Sequence, residues 1–152
     1  MTEANRPRVF IDADVLFAGA AGPTEFGASL VLLRMAEITL IEAVASRQVI
    51  VEVERNLKDK FPRALSTFSL LVERCLDIVE NPTGKDLHEY EGLADLKNLP
   101  ILVAAIQSRR SWLVTYNTRH FQPGHPDVSV LEPGSLVRRI RELLAYLSPA
   151  DE

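Results

Sequence analysis

Short apolar runs alternate along this chain with longer segments of helical spacing. The apolar, β-branched run over residues 8–16 predicts a buried strand that ends near its acids. Shorter apolar runs predict further strands at residues 38–41, 77–79, 112–115 and 128–131. Helical spacing predicts helices at residues 29–37, 47–60, 65–76 and 136–147, and another around Pro100. Strands separated by helices are typical of βα units, so we expect a largely parallel sheet.

Several residues indicate where these elements begin and end. Ser46 is a predicted N-cap for the helix that follows it. Gly19 and residues 22–23 are expected to break the chain, and residues 81–84 and 132–134 have the composition of turns.

Length and charge narrow the class of protein. The chain has 152 residues, which predicts a single domain over residues 1–152 with a proper core. Lys plus Arg number 17 against 21 Asp plus Glu, a formal net charge of −4, so a strongly basic protein that coats nucleic acid is excluded. A nucleic-acid enzyme remains compatible, because a metal ion can supply positive charge for a phosphate. The single cysteine, Cys75, excludes an internal disulfide and a Cys-rich zinc site.

The N-terminal segment MTEANRPRVF lacks the apolar stretch of a secretory signal. No run of about 18 apolar residues occurs in the chain. We therefore expect a cytoplasmic protein with no membrane partner.

Two acids, Asp12 and Asp14, follow the first apolar run. Their i, i+2 spacing places both on one side of an extended chain, where two carboxylates repel each other unless a cation lies between them. Oxygen ligands without His or Cys favour Mg²⁺ or Mn²⁺. An isolated pair of acids near a strand end is more often a turn or a helix cap. The apolar strand that runs directly into this pair favours a site, because burying Asp12 without a partner costs several kcal/mol, on the order of 2–7.

Further polar residues occur at the starts of helices or after strands, where ligands bind in open α/β sheets. Glu52 and Glu54 lie on the helix after Ser46, Asp95 precedes the helix of Pro100, and Asn117 follows the strand WLVT.

Four blocks of the sequence, in order, resemble the blocks of the PIN domain family: VFIDADVLFAGA, SRQVIVEVERNL, DLKNLPILVAAI and WLVTYNTRHF. The ending VLEPGSLVRRI also resembles that family, which includes the VapC-type toxins of toxin–antitoxin pairs. The resemblance implies a three-layer α/β/α sandwich around a central, mostly parallel sheet. It also implies a cluster of acids that binds one or two Mg²⁺ or Mn²⁺ ions, and endonucleolytic cleavage of single-stranded RNA. A small antitoxin protein and a homodimer are the protein partners that it implies.

Carried over by position, the resemblance assigns a role to each candidate residue. The implied metal ligands are Asp12, Asp14, Glu52, Asp95 and Asn98. The implied catalytic residues are Asp12, Glu52, Asp95 and Asn117. Glu52 is preferred to its rival Glu54 because it lies five residues before Leu57, as in the family's E-x-x-x-x-L pattern.

The candidates for substrate binding are Thr115, Arg119 and His120. An Arg side chain matches the geometry of a phosphate, and Thr115 is expected to hydrogen-bond either an acid or a phosphate. The pair Arg109–Arg110 is a further candidate for substrate binding. Its position at the end of a helix also has a purely structural explanation, because the helix dipole favours cations there.

Asn98 is the departure from the family, many members of which carry an acid at this position. An amide oxygen can coordinate Mg²⁺ but removes one negative charge. Two alternatives to a VapC-like ribonuclease therefore stay open. One is a catalytically degenerate PIN domain that binds RNA or a protein. The other is a phosphatase with an Asp nucleophile, for which the expected turn and later Lys are not evident.

Overall fold

The computed structural model describes residues 6–21 and 27–147. Its five strands form one sheet in the order β3–β2–β1–β4–β5, and every pairing is parallel. The strands are β1 (Arg8–Ile11), β2 (Glu42–Ser46), β3 (Leu76–Val79), β4 (Trp112–Val114) and β5 (Ser129–Leu131). The helices are α1 (Ala13–Ala21), α2 (Gly27–Glu37), α3 (Arg47–Lys60), α4 (Leu65–Cys75), α5 (Gly84–Glu89), α6 (Leu99–Gln107) and α7 (Pro133–Leu147). The predicted parallel α/β architecture is confirmed.

The core lies around the central strand β1, which is covered on both faces. Val9, Phe10 and Ile11 are completely buried, as expected for a parallel strand between two helical layers. Helices α1 to α4 and α7 pack in one connected group, whereas α5 packs against α6, and α6 contacts β4. Right-handed crossovers explain this division, because the chain moves along the sheet one way from β1 to β3 and returns from β3 to β4.

The predicted strand over residues 8–16 is too long. The strand ends at Ile11 and α1 begins at Ala13, since the Asp12 side chain accepts the Ala13 N–H at 2.8 Å and its carbonyl accepts from Val15 and Leu16. A residue that satisfies the free N–H groups of a helix start ends the strand that precedes it.

The predicted strand over residues 38–41 is wrong, and β2 follows it instead. Ile38 is 68% exposed and Thr39 has a φ of 62°, so this apolar stretch is a turn after α2. The small residues of EAVAS pair with β1 and β3, where Ala43, Val44 and Ala45 are buried.

Ser46 caps α3 as predicted, with its Oγ accepting the Val49 N–H at 3.4 Å. Gly19 does not break the chain but lies within α1, and residues 22–23 lie outside the described residues. Helix α5, which was not predicted, begins at a capping box between Thr83 and Asp86. None of the helices within residues 6–21 and 27–147 has the length and apolar character needed to cross a membrane.

Candidate metal centre

The candidate site lies at the carboxyl-terminal edge of the sheet, where β1 and β4 end side by side. Ile11 pairs with Val114, so Asp12 and Thr115 are the next residues along two adjacent parallel strands. The Asp12 N–H extends the ladder by donating to the Val114 carbonyl at 3.0 Å. The sheet register therefore brings together two side chains that are 103 residues apart in the sequence.

Asp12 is 7% exposed, and both of its carboxylate oxygens accept a hydrogen bond. Oδ1 accepts from the Ala13 N–H at 2.8 Å, and Oδ2 accepts from the Thr115 hydroxyl at 2.9 Å. Thr115 is completely buried. Of the two partners predicted for its hydroxyl, an acid or a phosphate, the structure shows the acid, Asp12.

Asp14 lies in the first turn of α1 and uses its two oxygens unequally. Its Oδ2 accepts from the backbone N–H of Tyr116 and from Nδ2 of Asn117, both at 3.0 Å. Its Oδ1 is buried and has no hydrogen-bond donor among the residues that the structure describes. The two acids thus come together through a strand end and a helix start, not through alternation along one extended strand.

The electrostatics of this pair are unfavourable for two ionised carboxylates. Burial, followed by the charges of Asp14 and Glu52, raises the pKa of Asp12 to about 7, although hydrogen bonds from Ala13 and Thr115 act in the opposite direction. Burial also raises the pKa of Asp14, and the charge of Glu52 adds to this increase. A cation between the carboxylates would offset both effects.

These residues form one wall of a groove with a volume of about 890 Å³. Seven of the predicted site residues line it: Asp12, Asp14, Glu52, Asp95, Asn98, Asn117 and His120. Thr115 lies buried beneath them. Arg119 and Glu54 are exposed and do not belong to the lining, so Glu52 is the α3 acid that faces the groove.

Asp95 and Asn98 are placed by the loop before α6. The Asp95 N–H donates to the His120 carbonyl at 2.9 Å, which ties this loop to the 3₁₀ turn at Thr118–Phe121. Asn98 occupies the N-cap position of α6, but its side chain makes no capping hydrogen bond. The amide of Asn98 lines the groove instead.

Sequence reasoning missed several polar residues of the groove wall. Three cations, Arg47, Arg55 and Lys97, and three amides, Gln48, Asn56 and Asn81, also line it. The signal for most of them was the helical period of α3. Residues 48, 52 and 55–56 recur at the spacing of one helix face, and the apolar residues Val49, Val53 and Leu57 fill the core-facing side.

The candidate Arg110 lies elsewhere. It lies two residues before β4, at the amino-terminal edge of the sheet, where its guanidinium group contacts Glu42 at 3.2 Å. This position separates it from the acids by the length of the strands.

The groove fits a hard divalent cation that keeps part of its water shell. No three His, Cys, Asp or Glu side chains in the described part of the chain approach closely enough to form a complete metal-binding cluster. Mg²⁺ needs fewer than three such side chains, because it is commonly bound by one or two carboxylates together with water and substrate phosphates. Asp12 and Asp14, which both line the groove, are the carboxylates that would hold such an ion, and Oδ1 of Asp14 has no hydrogen-bond donor among the described residues.

Comparisons with known proteins agree with the observed fold. A chain in the crystal structure of VapBC2 from Rickettsia felis bound to a DNA fragment from their promoter has a similar fold, with a TM-score of 0.58. The match has 20% sequence identity and covers 82% of this chain and 97% of that chain, a likeness of fold alone. No curated protein matches the sequence significantly. The family model of the PIN domain matches residues 8–119, well over half of the chain, and the protein therefore belongs to the PIN domain family.

Proposed function

We propose that the protein is a Mg²⁺- or Mn²⁺-dependent endoribonuclease that cleaves single-stranded RNA, acting in the cytoplasm as the toxin of a VapBC-type pair. The observation that carries this proposal is the Asp12–Asp14 pair, with its unpartnered oxygen, inside a groove that also presents cations. Membership of the PIN domain family supports nuclease chemistry at this edge of the sheet.

The divalent ion, when bound, supplies positive charge that activates water and stabilises the charge developing on the phosphate. Asp12 and Asp14 would hold the ion, and Glu52, Asp95 and Asn98 would contribute further oxygen atoms from the same groove wall. Thr115 and Asn117 keep the two aspartates in place, because they donate to Asp12 Oδ2 and Asp14 Oδ2 respectively.

The cationic side chains of the groove wall are the proposed binding sites for the phosphates of the RNA. Arg55 lies one helical turn after Glu52 on the same helix, and Lys97 lies two residues after Asp95, so each cation accompanies a proposed ligand. The two cations would bind phosphates of the RNA backbone, Arg55 through its planar guanidinium group and Lys97 as a point charge. His120 contributes to the same surface.

A small antitoxin is the proposed protein partner. The similar chain comes from the VapBC2 structure, and the groove described here is the surface that an inhibitor would have to cover.

One observation favours a second candidate function, a PIN domain that binds RNA or a protein without cleaving it. Asn98 brings a neutral amide to the groove wall where many family members carry an acid. The cations of the groove would still bind a polyanion in such a protein.

The experiment that tests the proposal is cleavage of a labelled single-stranded RNA with Mn²⁺. Wild type is compared with Asp12→Asn and with Asp77→Asn, in which an exposed aspartate of β3 outside the groove wall is changed. We expect cleavage that requires Mn²⁺, falls at least about 100-fold in Asp12→Asn and is unchanged in Asp77→Asn. RNA that is bound but left intact by wild type, with and without Mn²⁺, would establish the second candidate instead.

A further inference from the structure

Tyr116, which immediately follows Thr115, is held at both of its ends. Its backbone N–H donates to Asp14 Oδ2 at 3.0 Å. Its phenolic oxygen lies 2.6 Å from Oγ of Ser29, a residue 87 positions earlier in the chain. The side chain therefore spans the distance from the acidic site to α2, although Tyr116 as a whole is 39% exposed.

Ser29 is a firm anchor because it is completely buried in the first turn of α2. A buried hydroxyl without a partner is unfavourable, and Tyr116 provides the partner. The position of α2 against α1 is in turn fixed at Gly19. A Cβ atom at Gly19 would lie 2.5 Å from Leu33 Cδ1 and 3.5 Å from the Ser29 carbonyl carbon, so the two helices touch at this point.

These contacts form a closed circuit. Asp14 and Gly19 belong to the same helix, Gly19 packs against α2, α2 carries Ser29, Ser29 holds the ring of Tyr116, and the Tyr116 amide returns to Asp14. An element held by contacts at both ends keeps its geometry better than a loop held at one end.

We propose that Tyr116 is a positioning residue, which holds the Asp14 carboxylate through the anchoring of its ring on Ser29. The donors from Tyr116 and Asn117 both engage Oδ2, and this leaves the buried Oδ1 without a hydrogen-bond donor among the described residues. The part of this inference that concerns a cation rests on the proposed function, whereas the anchoring of Asp14 does not.

Two measurements test whether Tyr116 positions Asp14. They are made on Tyr116→Phe, Ser29→Ala and the double variant, with Tyr146→Phe as the control. Tyr146 lies on α7 and is 89% exposed. Hydrogen exchange at the Tyr116 amide, followed by NMR in metal-free protein, reports the bond to Asp14. Calorimetric titration with Mn²⁺ alone reports the metal affinity.

We expect the Tyr116 amide to exchange roughly threefold to tenfold faster, and Mn²⁺ to bind roughly threefold to tenfold more weakly, in all three variants but not in the control. The double variant separates positioning from stability. It leaves no hydroxyl buried without a partner, so its melting temperature should return toward that of wild type while exchange and affinity stay altered.

Unchanged exchange at Tyr116 would overturn the inference, as would faster exchange with the Mn²⁺ affinity of wild type. Exchange that rises equally throughout the protein would show a merely structural role and would also overturn it. Wild type that binds no Mn²⁺ would remove the proposed function, and the exchange data would then decide the anchoring by themselves. Ser29→Ala carries the test if Tyr116→Phe does not fold.

Discussion

The two edges of the parallel sheet both carry charged residues, but they differ in how those charges are balanced. At the amino-terminal edge, Glu42 contacts the guanidinium groups of Arg8, at 3.8 Å, and Arg110, at 3.2 Å. At the carboxyl-terminal edge, Asp12 and Asp14 lie close together, and the charge of Glu52 contributes to raising the pKa of both.

The difference separates an edge whose charges have opposite partners from an edge whose carboxylates have none. A buried charge that has an opposite partner is tolerated, whereas two buried carboxylates without a cation oppose folding. The hydrogen bonds to Asp12 and Asp14 orient these carboxylates but add no positive charge. The carboxyl-terminal edge therefore holds an electrostatic cost that a bound cation would offset.

The largest effect beyond Asp12 itself should come from changing Glu52, which tests whether the acidic character of the carboxyl-terminal edge extends to α3. Glu52 lines the groove, whereas Glu54, two residues away on the same helix, is exposed outside it. Glu52→Gln should lower the rate of RNA cleavage about 100-fold, because one negative charge of the site is lost. Glu54→Gln should retain the rate within about twofold. Equal losses in the two variants would contradict the assignment of Glu52.

The next largest effect is a dependence of the Mn²⁺ affinity on pH. Because burial raises the pKa of Asp12 to about 7, a cation must compete with a proton below that pH. The dissociation constant for Mn²⁺ should thus rise about tenfold for each pH unit below 7 and level off above it, as measured by calorimetry from pH 5.5 to 8.5. A constant affinity across this range would exclude Asp12 as the group that loses the proton.

The same pKa shift has a consequence for the metal-free protein. Between about pH 4 and pH 7 the native state holds a proton that the unfolded state has released, so the free energy of unfolding should increase as the pH falls through this interval. Mn²⁺ should for this reason raise the melting temperature more at pH 8 than at pH 5.5.

A smaller effect on the Mn²⁺ affinity is expected from Asn98→Asp, which adds a negative charge at the carboxyl-terminal edge. The Asn98 side chain makes no capping bond and lines the groove, so a carboxylate at this position would strengthen Mn²⁺ binding, roughly threefold to tenfold. Calorimetry on the variant beside Asn81→Asp, which changes another amide of the groove wall, measures the gain. An unchanged affinity in Asn98→Asp would place residue 98 outside the reach of the ion.

The contrast between the edges was only partly readable from the sequence. The apolar run over residues 8–16 predicted a buried strand that ends near its acids, and in the structure this strand ends earlier, at Ile11, directly before Asp12. The parallel arrangement then placed Thr115 beside it. The position of β2 was missed, because the small residues of EAVAS give a weaker apolar signal than the neighbouring turn residue Ile38, which is 68% exposed.

The wall of the groove and the anchor of Tyr116 could not be predicted, for a physical reason. Which face of α3 turns toward the acids depends on how that helix packs, and the bond between Tyr116 and Ser29 joins residues 87 positions apart. Both are consequences of tertiary packing. Local patterns indicate that a helix has a polar face, but not what that face opposes.

The smallest effect on the site should come from the amino-terminal edge of the sheet, where a substitution tests whether the two edges are independent. Glu42→Gln removes the carboxylate that pairs with Arg110, whose side chain is only 10% exposed. The nearly buried guanidinium group then lacks a charged partner, so the free energy of unfolding should fall by about 1–3 kcal/mol, which corresponds to a loss of several degrees in melting temperature. Because Glu42 begins β2 at the end remote from the acids, the Mn²⁺ affinity and the cleavage rate should be those of wild type below the melting transition. A variant that keeps its stability but loses metal affinity would show that the two edges are coupled through the sheet, and the separation of a stabilising edge from a functional one would then fail.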